Sequence, residues 1–249
     1  MNSLIVKIIK QIAHSLGYQI NRETPADFSD EDIEIINSVK PYTMTSRERI
    51  YSLIESVRYV IKNEIPGDIV ECGVWQGGSM MAVAKTLLKL HNQEKDLCLF
   101  DTFEGMTKPE KMDISNSGFD ATKEFDNTKN DSNGSDWCRA TIDVVKSNLF
   151  SIGYDKSKIH FIQGKVEDTL PTNKLKSISI LRLDTDWYQS TKEELINLFP
   201  KLSKGGVLII DDYGFWQGAR KAVDEYFSEN NIQILLNRID ETGRIGIKL

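Results

Sequence analysis

Ile178-Ser179-Ile180-Leu181-Arg182-Leu183-Asp184-Thr185-Asp186-Trp187-Tyr188, followed one helix later by Val207-Leu208-Ile209-Ile210-Asp211-Asp212-Tyr213-Gly214, decides how this chain folds. Each stretch opens as a short apolar run that reads as a buried strand and closes on a pair of aspartates. Strand ends of an open α/β sheet are where such folds place their ligands. Four carboxylates meeting in one crevice repel each other unless a positive charge sits between them. A hard divalent cation, Mg²⁺ or Ca²⁺, takes oxygen ligands of this kind. The competing reading is that one or two of these aspartates only cap the helices that follow.

Working outward, apolar strands are expected at 68–74, 97–100 and 159–163, besides 178–183 and 207–210. Helical patterns fill the gaps at 79–90, 137–149, 190–199 and 217–228. That alternation predicts an α/β fold with a parallel, doubly wound sheet. Two final strand-like runs, 234–239 and 244–249, flank Asp240-Glu241-Thr242-Gly243 as a hairpin, so the last strand should run antiparallel. Residues 104–136 break the rhythm: polar, and too long for an ordinary connection, they leave the second strand beside the crevice. We read them as a lid-like insertion, with dispensable disorder as the alternative.

Residues 1–40 stand apart as an amphipathic helix and an acidic linker, and 41–249 form the body. Leu4, Ile5, Ile8, Ile9, Ile12 and Leu16 share one helical face, with Lys7, Lys10 and His14 off it. Such a helix can lie on a membrane surface, pack on its own domain or join a second subunit in a homo-oligomer. Pro25 and the acidic run Asp27, Asp30, Glu31 and Asp32 separate it from the body. Tyr42-Thr43-Met44-Thr45-Ser46-Arg47 then leads into a helix over 48–62, with Thr45 or Ser46 as its N-cap.

The chain of 249 residues has a net charge of −6 and carries no basic run, which argues against nucleic acid as a partner. Cys72, Cys98 and Cys138 have no metal-ligand spacing and suit a reducing cytoplasm. No apolar run approaches the roughly 20 residues of a spanning helix.

Glu71-Cys72-Gly73-Val74-Trp75-Gln76-Gly77-Gly78-Ser79 joins the first strand to its helix. Its glycines let backbone approach a ligand, and the helix start offers free N–H groups. Trp75 stands where the dinucleotide fingerprint needs its middle glycine, which weakens a nicotinamide reading. Glu71 suits an amino-bearing ligand better than a phosphate, and Asp101, ending the second strand, suits ribose hydroxyls. Its alternative role is to cap the next turn. Together these features describe S-adenosylmethionine.

Six blocks in order carry a resemblance: Tyr42–Ser46, Glu71–Ser79, Asp101-Thr102-Phe103-Glu104-Gly105-Met106, Asp168-Thr169-Leu170-Pro171, Asp184–Thr191 and Asp211–Gly214. Over about residues 40–230 the chain resembles the macrocin-type (TylF/MycF-like) O-methyltransferases, which methylate sugar hydroxyls. The resemblance implies a class I methyltransferase fold, Rossmann-like, using S-adenosylmethionine and Mg²⁺. It implies Asp184, Asp211 and Asp212 as metal ligands. Along the cofactor it implies Glu71, Gly73 and Ser79 on the methionine part, Asp101 on the ribose, Thr43 and Met44 in a closing segment, and Asp168 near the adenine. The first 40 residues match no block, and Gly214-Phe215-Trp216-Gln217-Gly218 departs where relatives often carry His or Pro; acceptor identity therefore stays open.

A sugar hydroxyl needs a base to lose its proton at neutral pH. His14, His91 and His160 all fall outside the strand-end loops of the crevice, so a carboxylate is expected, Asp184 first, sharing the work with Asp186. Asp186 is equally placed to cap the helix near Ser190. A catechol or phenol methyltransferase and a non-catalytic cofactor-binding subunit of a glycan assembly complex are the alternatives. The acceptor itself is a small-molecule or glycan hydroxyl.

Overall fold

The structure, a computed structural model, describes residues 3–18, 25–130 and 134–249. Residues 131–133 of the polar stretch and 19–24 of the arm lie outside it, as do the side chains of Leu4 and Lys10. The chain divides into two compact units, Met1–Glu34 and Ile35–Leu249.

The larger unit is built on one seven-stranded sheet of order β3-β2-β1-β4-β5-β7-β6. Its strands are β1 (Asp68–Cys72), β2 (Leu97–Asp101), β3 (Ile159–Gln163), β4 (Ile178–Leu183), β5 (Leu202–Ile210), β6 (Asn237–Arg238) and β7 (Arg244–Ile247). β1 to β5 pair in parallel; β7 runs antiparallel to β5 and to β6. The fold expected from the sequence, mostly parallel with an antiparallel terminal hairpin, is therefore the observed one. Helices α3 (Arg47–Lys62), α4 (Gly78–Lys89), α6 (Ile142–Phe150), α8 (Tyr188–Leu198) and α9 (Gln217–Glu229) surround the sheet. Every residue of β4 is buried, Ser179 and Arg182 included, which explains its mostly apolar reading. Val70, Phe100, Leu181, Leu195, Leu208 and Val223 join strands to helices in one of the cores.

Several boundaries differ from the sequence reading for identifiable reasons. The acidic run expected as a linker is partly the first turn of α2 (Asp30–Val39), where carboxylates meet the positive helix end. α6 starts at Ile142 rather than 137, because Cys138 takes a positive φ of 53° and Thr141 is extended. β5 begins five residues early, at Leu202, through a register shift opposite Ile178 and Ile180. β6 shrinks to two residues because the preceding chain crosses over Gly246, where a Cβ would lie 2.9 Å from both Ile234 Cδ1 and the Leu235 carbonyl oxygen. Ser46 caps α3, accepting from the Arg49 amide at 3.1 Å.

The stretch 104–136 is folded where described. It carries α5 (Ala121–Asn127), and Asp113, Ser115 and Phe125 within it are buried. Among the described residues, no helix is long and apolar enough to cross a membrane.

Candidate active site

The strand order reverses between β1 and β4, so the chains leaving these neighbours diverge and open a crevice beyond their carboxyl ends. Gly73 follows β1 with φ +81°, and a Cβ there would overlap the Asp184 carbonyl oxygen. Only glycine lets the two strand exits cross this closely. The loop continues through Trp75 and Gly77, also at positive φ, into α4. The 42–45 segment passes over the start of α4: a Cβ on Gly78 would sit 2.7 Å from Thr43 Cβ. A cleft of about 460 Å³ results, with Thr43, Met44, Gly73, Ser79 and Asp101 on this side. Asp101 also ties two loops together. One carboxylate oxygen accepts from the Val74 and Trp75 amides at 2.6 and 3.2 Å, the other from the Phe103 amide at 2.7 Å. Burial pushes its carboxyl above the ordinary range, and those amides pull it back.

Asp184, Asp186, Asp211 and Asp212 line the other side of the same cleft. The positive charge within this cluster comes first from the chain itself. Arg182, buried in β4, donates to Glu71 at 2.5 Å, to Asp184 at 2.7 Å and to Asp211 at 2.6 Å. β1 and β4 set Glu71 and Arg182 directly opposite each other. Arg49 of α3 adds a second cation, paired with Asp211 and, at 2.9 Å, with Asp240. Both Asp211 oxygens are thereby engaged by arginines. Asp184, Asp186 and Asp212 are freer, and each offers an oxygen within 4.8 Å of the others. Burial, reinforced by the charge of Asp184, pushes Asp186 up to about 7. Burial likewise raises Asp184 and Asp212 well above the carboxylate range.

Asp186 does not cap α8. The first amide of that helix, on Tyr188, donates instead to Asp113 at 2.9 Å, across 75 residues of sequence. Asp113 also accepts from the Glu110 amide at 2.7 Å, and a Cβ on Gly218 would overlap its carboxylate. Released from capping, Asp186 accepts from Trp216 Nε1 at 2.8 Å. Trp137, Trp187 and Trp216 pack at ring separations of 5.0–6.4 Å, and Trp187 Nε1 donates to the Thr107 carbonyl at 3.0 Å. The polar insertion is thus bolted to the acidic end of the cleft, and Trp137 and Trp216 line it.

Two residues expected at the cofactor are placed elsewhere. Glu71 lies within β1, nearly fully buried behind the cleft. Arg182 holds one of its oxygens, and the other has no partner among the described residues; burial raises the carboxyl to about 7. Asp168 lies in α7 (Val166–Thr169) and faces a separate pocket with Asp68, Cys98 and His160. Lys165, Val166 and Glu167 face Asp101 and Gly105 instead. Arg182, Arg49 and Asp113 escaped the sequence reading. Of these, Arg182 left a signal: a lone charge inside an apolar strand must be paired when buried.

The donor set suits a hard divalent cation. All three freer groups are carboxylates, and Asp212 Oδ2 is buried without a partner among the described residues.

The profile of the family described as Macrocin-O-methyltransferase (TylF) matches residues 10–245. The chain is 31% identical over 203 residues to demethyldecarbamoylnovobiocin O-methyltransferase of Streptomyces niveus, covering 81% of this chain and 74% of that protein. It is 33% identical over 202 residues to 8-demethyl-8-(2,3-dimethoxy-alpha-L-rhamnosyl)-tetracenomycin-C 4'-O-methyltransferase of Streptomyces olivaceus, with the same coverage. The solved O-methyltransferase NovP superposes with a TM-score of 0.72 at 27% identity, over 99% of this chain and 98% of that one. The match over nearly the whole chain, on a cleft lined by five of the six motif blocks, leads to one conclusion: this chain belongs to the macrocin-O-methyltransferase (TylF) family.

Proposed function

We propose that the chain transfers a methyl group from S-adenosylmethionine to a hydroxyl of a sugar, with Mg²⁺ held at the acidic end of the cleft. The observation that carries this reading is the two-ended cavity. A glycine loop, a helix start and a strand-end aspartate lie at one end, and three mutually close carboxylates lie at the other. Relatives whose names specify methylation of a rhamnosyl unit or of a novobiocin precursor support the substrate class. Gly73, Ser79 and Asp101 would run along the cofactor, with Thr43 and Met44 closing over it.

Asp184, Asp186 and Asp212 would hold the ion, and Asp211 could join them only if Arg49 released it. Bound there, Mg²⁺ would position the acceptor oxygen and favour its ionised form. Asp184, tied to Arg182, is the poorer proton acceptor of the cluster. Asp186 has no arginine or lysine against it among the described residues and takes the role instead, combining ion ligation with proton acceptance: the acceptor hydroxyl gives its proton to an Asp186 oxygen as the methyl passes from sulfonium to hydroxyl oxygen. The indole wall of Trp137 and Trp216 excludes water from that end and offers apolar faces to a sugar ring.

The test is formation of S-adenosylhomocysteine with a panel of deoxysugar glycosides, nucleotide sugars and catechol, with and without chelator. Turnover of glycosides that stops on chelation supports the proposal. Turnover of catechol alone would favour the phenol alternative. Cofactor binding without turnover on any acceptor, unaffected in cells by Asp186→Asn, would favour a non-catalytic subunit.

A further inference from the structure

The unit Met1–Glu34 carries a surface that the reaction does not use. In α1 (Ser3–Ser15) and the turn after it, Ile5, Ile8, Ile9, Ile12 and Leu16 are 44–68% exposed. Spaced i, i+3, i+4, i+7 and i+11, they form a single stripe about 100° wide. Tyr18, 72% exposed, follows it. Large apolar residues scattered singly on a surface are ordinary, but an aligned row of them marks a contact surface.

Charge selects what covers the stripe. Residues 1–22 contain Lys7, Lys10 and Arg22 and no Asp or Glu, a formal +3. The whole chain stands at −6, so the remainder, −6 less +3, stands at −9. By sequence register Lys7, Lys10 and His14 fall on the side of the helix away from the isoleucines. An apolar face backed by a cationic one is the arrangement of helices that lie in a bilayer interface, where the polar face meets anionic headgroups. Pairing α1 with the α1 of a second copy would cover the stripe but leave the cationic face without a counter-charge. An acidic bilayer surface matches both halves.

We propose that α1 attaches this protein to an anionic lipid bilayer, lying in the plane of the interface with Ile5, Ile8, Ile9, Ile12 and Leu16 in the acyl boundary. The attachment is peripheral, since 13 residues are too few to span. It is independent of the proposed methyl transfer.

Flotation of the full chain with vesicles tests it, using phosphatidylcholine alone and phosphatidylcholine with one-third phosphatidylglycerol, alongside light scattering of the same protein without lipid. The protein should float with the anionic vesicles, stay behind with the neutral ones, and be released by high salt. Lys7→Gln with Lys10→Gln should lower partitioning about five-fold per lysine removed. Ile8→Asn with Ile12→Asn should abolish flotation while leaving the thermal midpoint unchanged, since the replaced side chains are exposed. Absence of flotation with either vesicle would overturn the proposal. So would conversion of an oligomer to monomers by the isoleucine substitutions without any vesicle binding, which would assign the stripe to a second copy.

Discussion

Replacing Arg182 with Gln removes the cation shared by Glu71, Asp184 and Asp211, and its cost can be worked from the structure. The side chain is 5% exposed and makes three ion pairs of 2.5–2.7 Å. Glu71 and Asp211 are as deeply buried, so neither gains compensating water when the arginine goes. Breaking a buried ionic group from one side costs about 3–5 kcal/mol. For a chain of this size that corresponds to a loss of roughly 6–20 °C in thermal midpoint. The pH dependence gives the sharper test. In the folded protein burial raises Glu71 to about 7 from an ordinary 4.5, even with Arg182 pulling it down. A buried carboxyl with a raised pKa is harmless while protonated, and it lowers stability as pH rises from its unfolded value through its folded one. Without Arg182 the folded Glu71 carboxyl is raised further, so the deficit of Arg182→Gln should be small near pH 5 and grow through pH 7 to 8. Calorimetric midpoints of both proteins across that range decide it. A deficit under 1 kcal/mol at pH 8, or one equally large at pH 5, would refute the assignment of Arg182 as the internal counter-charge. The combination Glu71→Gln with Arg182→Met should recover part of the loss, because the deepest carboxylate is then no longer a charge left alone.

Four further outcomes are expected. Asp113→Ala should cost about 0.5–2 kcal/mol as a lost helix cap, seen in the thermal midpoint, and should weaken acceptor affinity as the insertion loosens from α8, whereas Asp113→Asn should keep most of both. Gly73→Ala should cripple cofactor binding measured by calorimetry, since its new methyl overlaps the Asp184 carbonyl. Asp212→Asn should remove Mn²⁺ binding detected by electron paramagnetic resonance while leaving the dissociation constant for S-adenosylhomocysteine within about two-fold, because the two ends of the cleft share few groups. Ion affinity should also fall as pH drops below about 7, where Asp186 takes up a proton and protons compete with the cation, and Asp186→Asn should flatten that dependence.

What the sequence made legible, and what it hid, divides along range of interaction. Runs such as 178–183 and 207–210 disclosed the buried strands because a short, mostly apolar run between polar turns has to be hidden from water on both faces, and the order of helices between them led to the parallel sheet. Ser46 was readable as a cap because its partner, Arg49, lies three residues away. The cap of α8 was not, because Asp113 reaches it from 75 residues upstream, and a nearby aspartate, Asp186, offered a local substitute. The same bias affected charge: the clustered aspartates called for a cation, and an external ion was the only one visible in linear order. Two arginines on separate elements supply part of it. Asp168 lines a different pocket from the cleft for a finer reason, since a motif fixes position along the chain but not which side of a single helical turn faces the cleft.

The pairing of Glu71 with Arg182 reaches beyond the cleft. With Glu71 and Asp211 already neutralised from within by Arg182, an ion at the proposed site would not be needed for the chain to reach or keep its fold. Newly made chains would then mature under metal starvation. On the proposed mechanism, ion supply would then govern how fast the standing population works, while its abundance and turnover would be set separately. Depleting divalent cations should silence such a protein reversibly, with no resynthesis needed when they return.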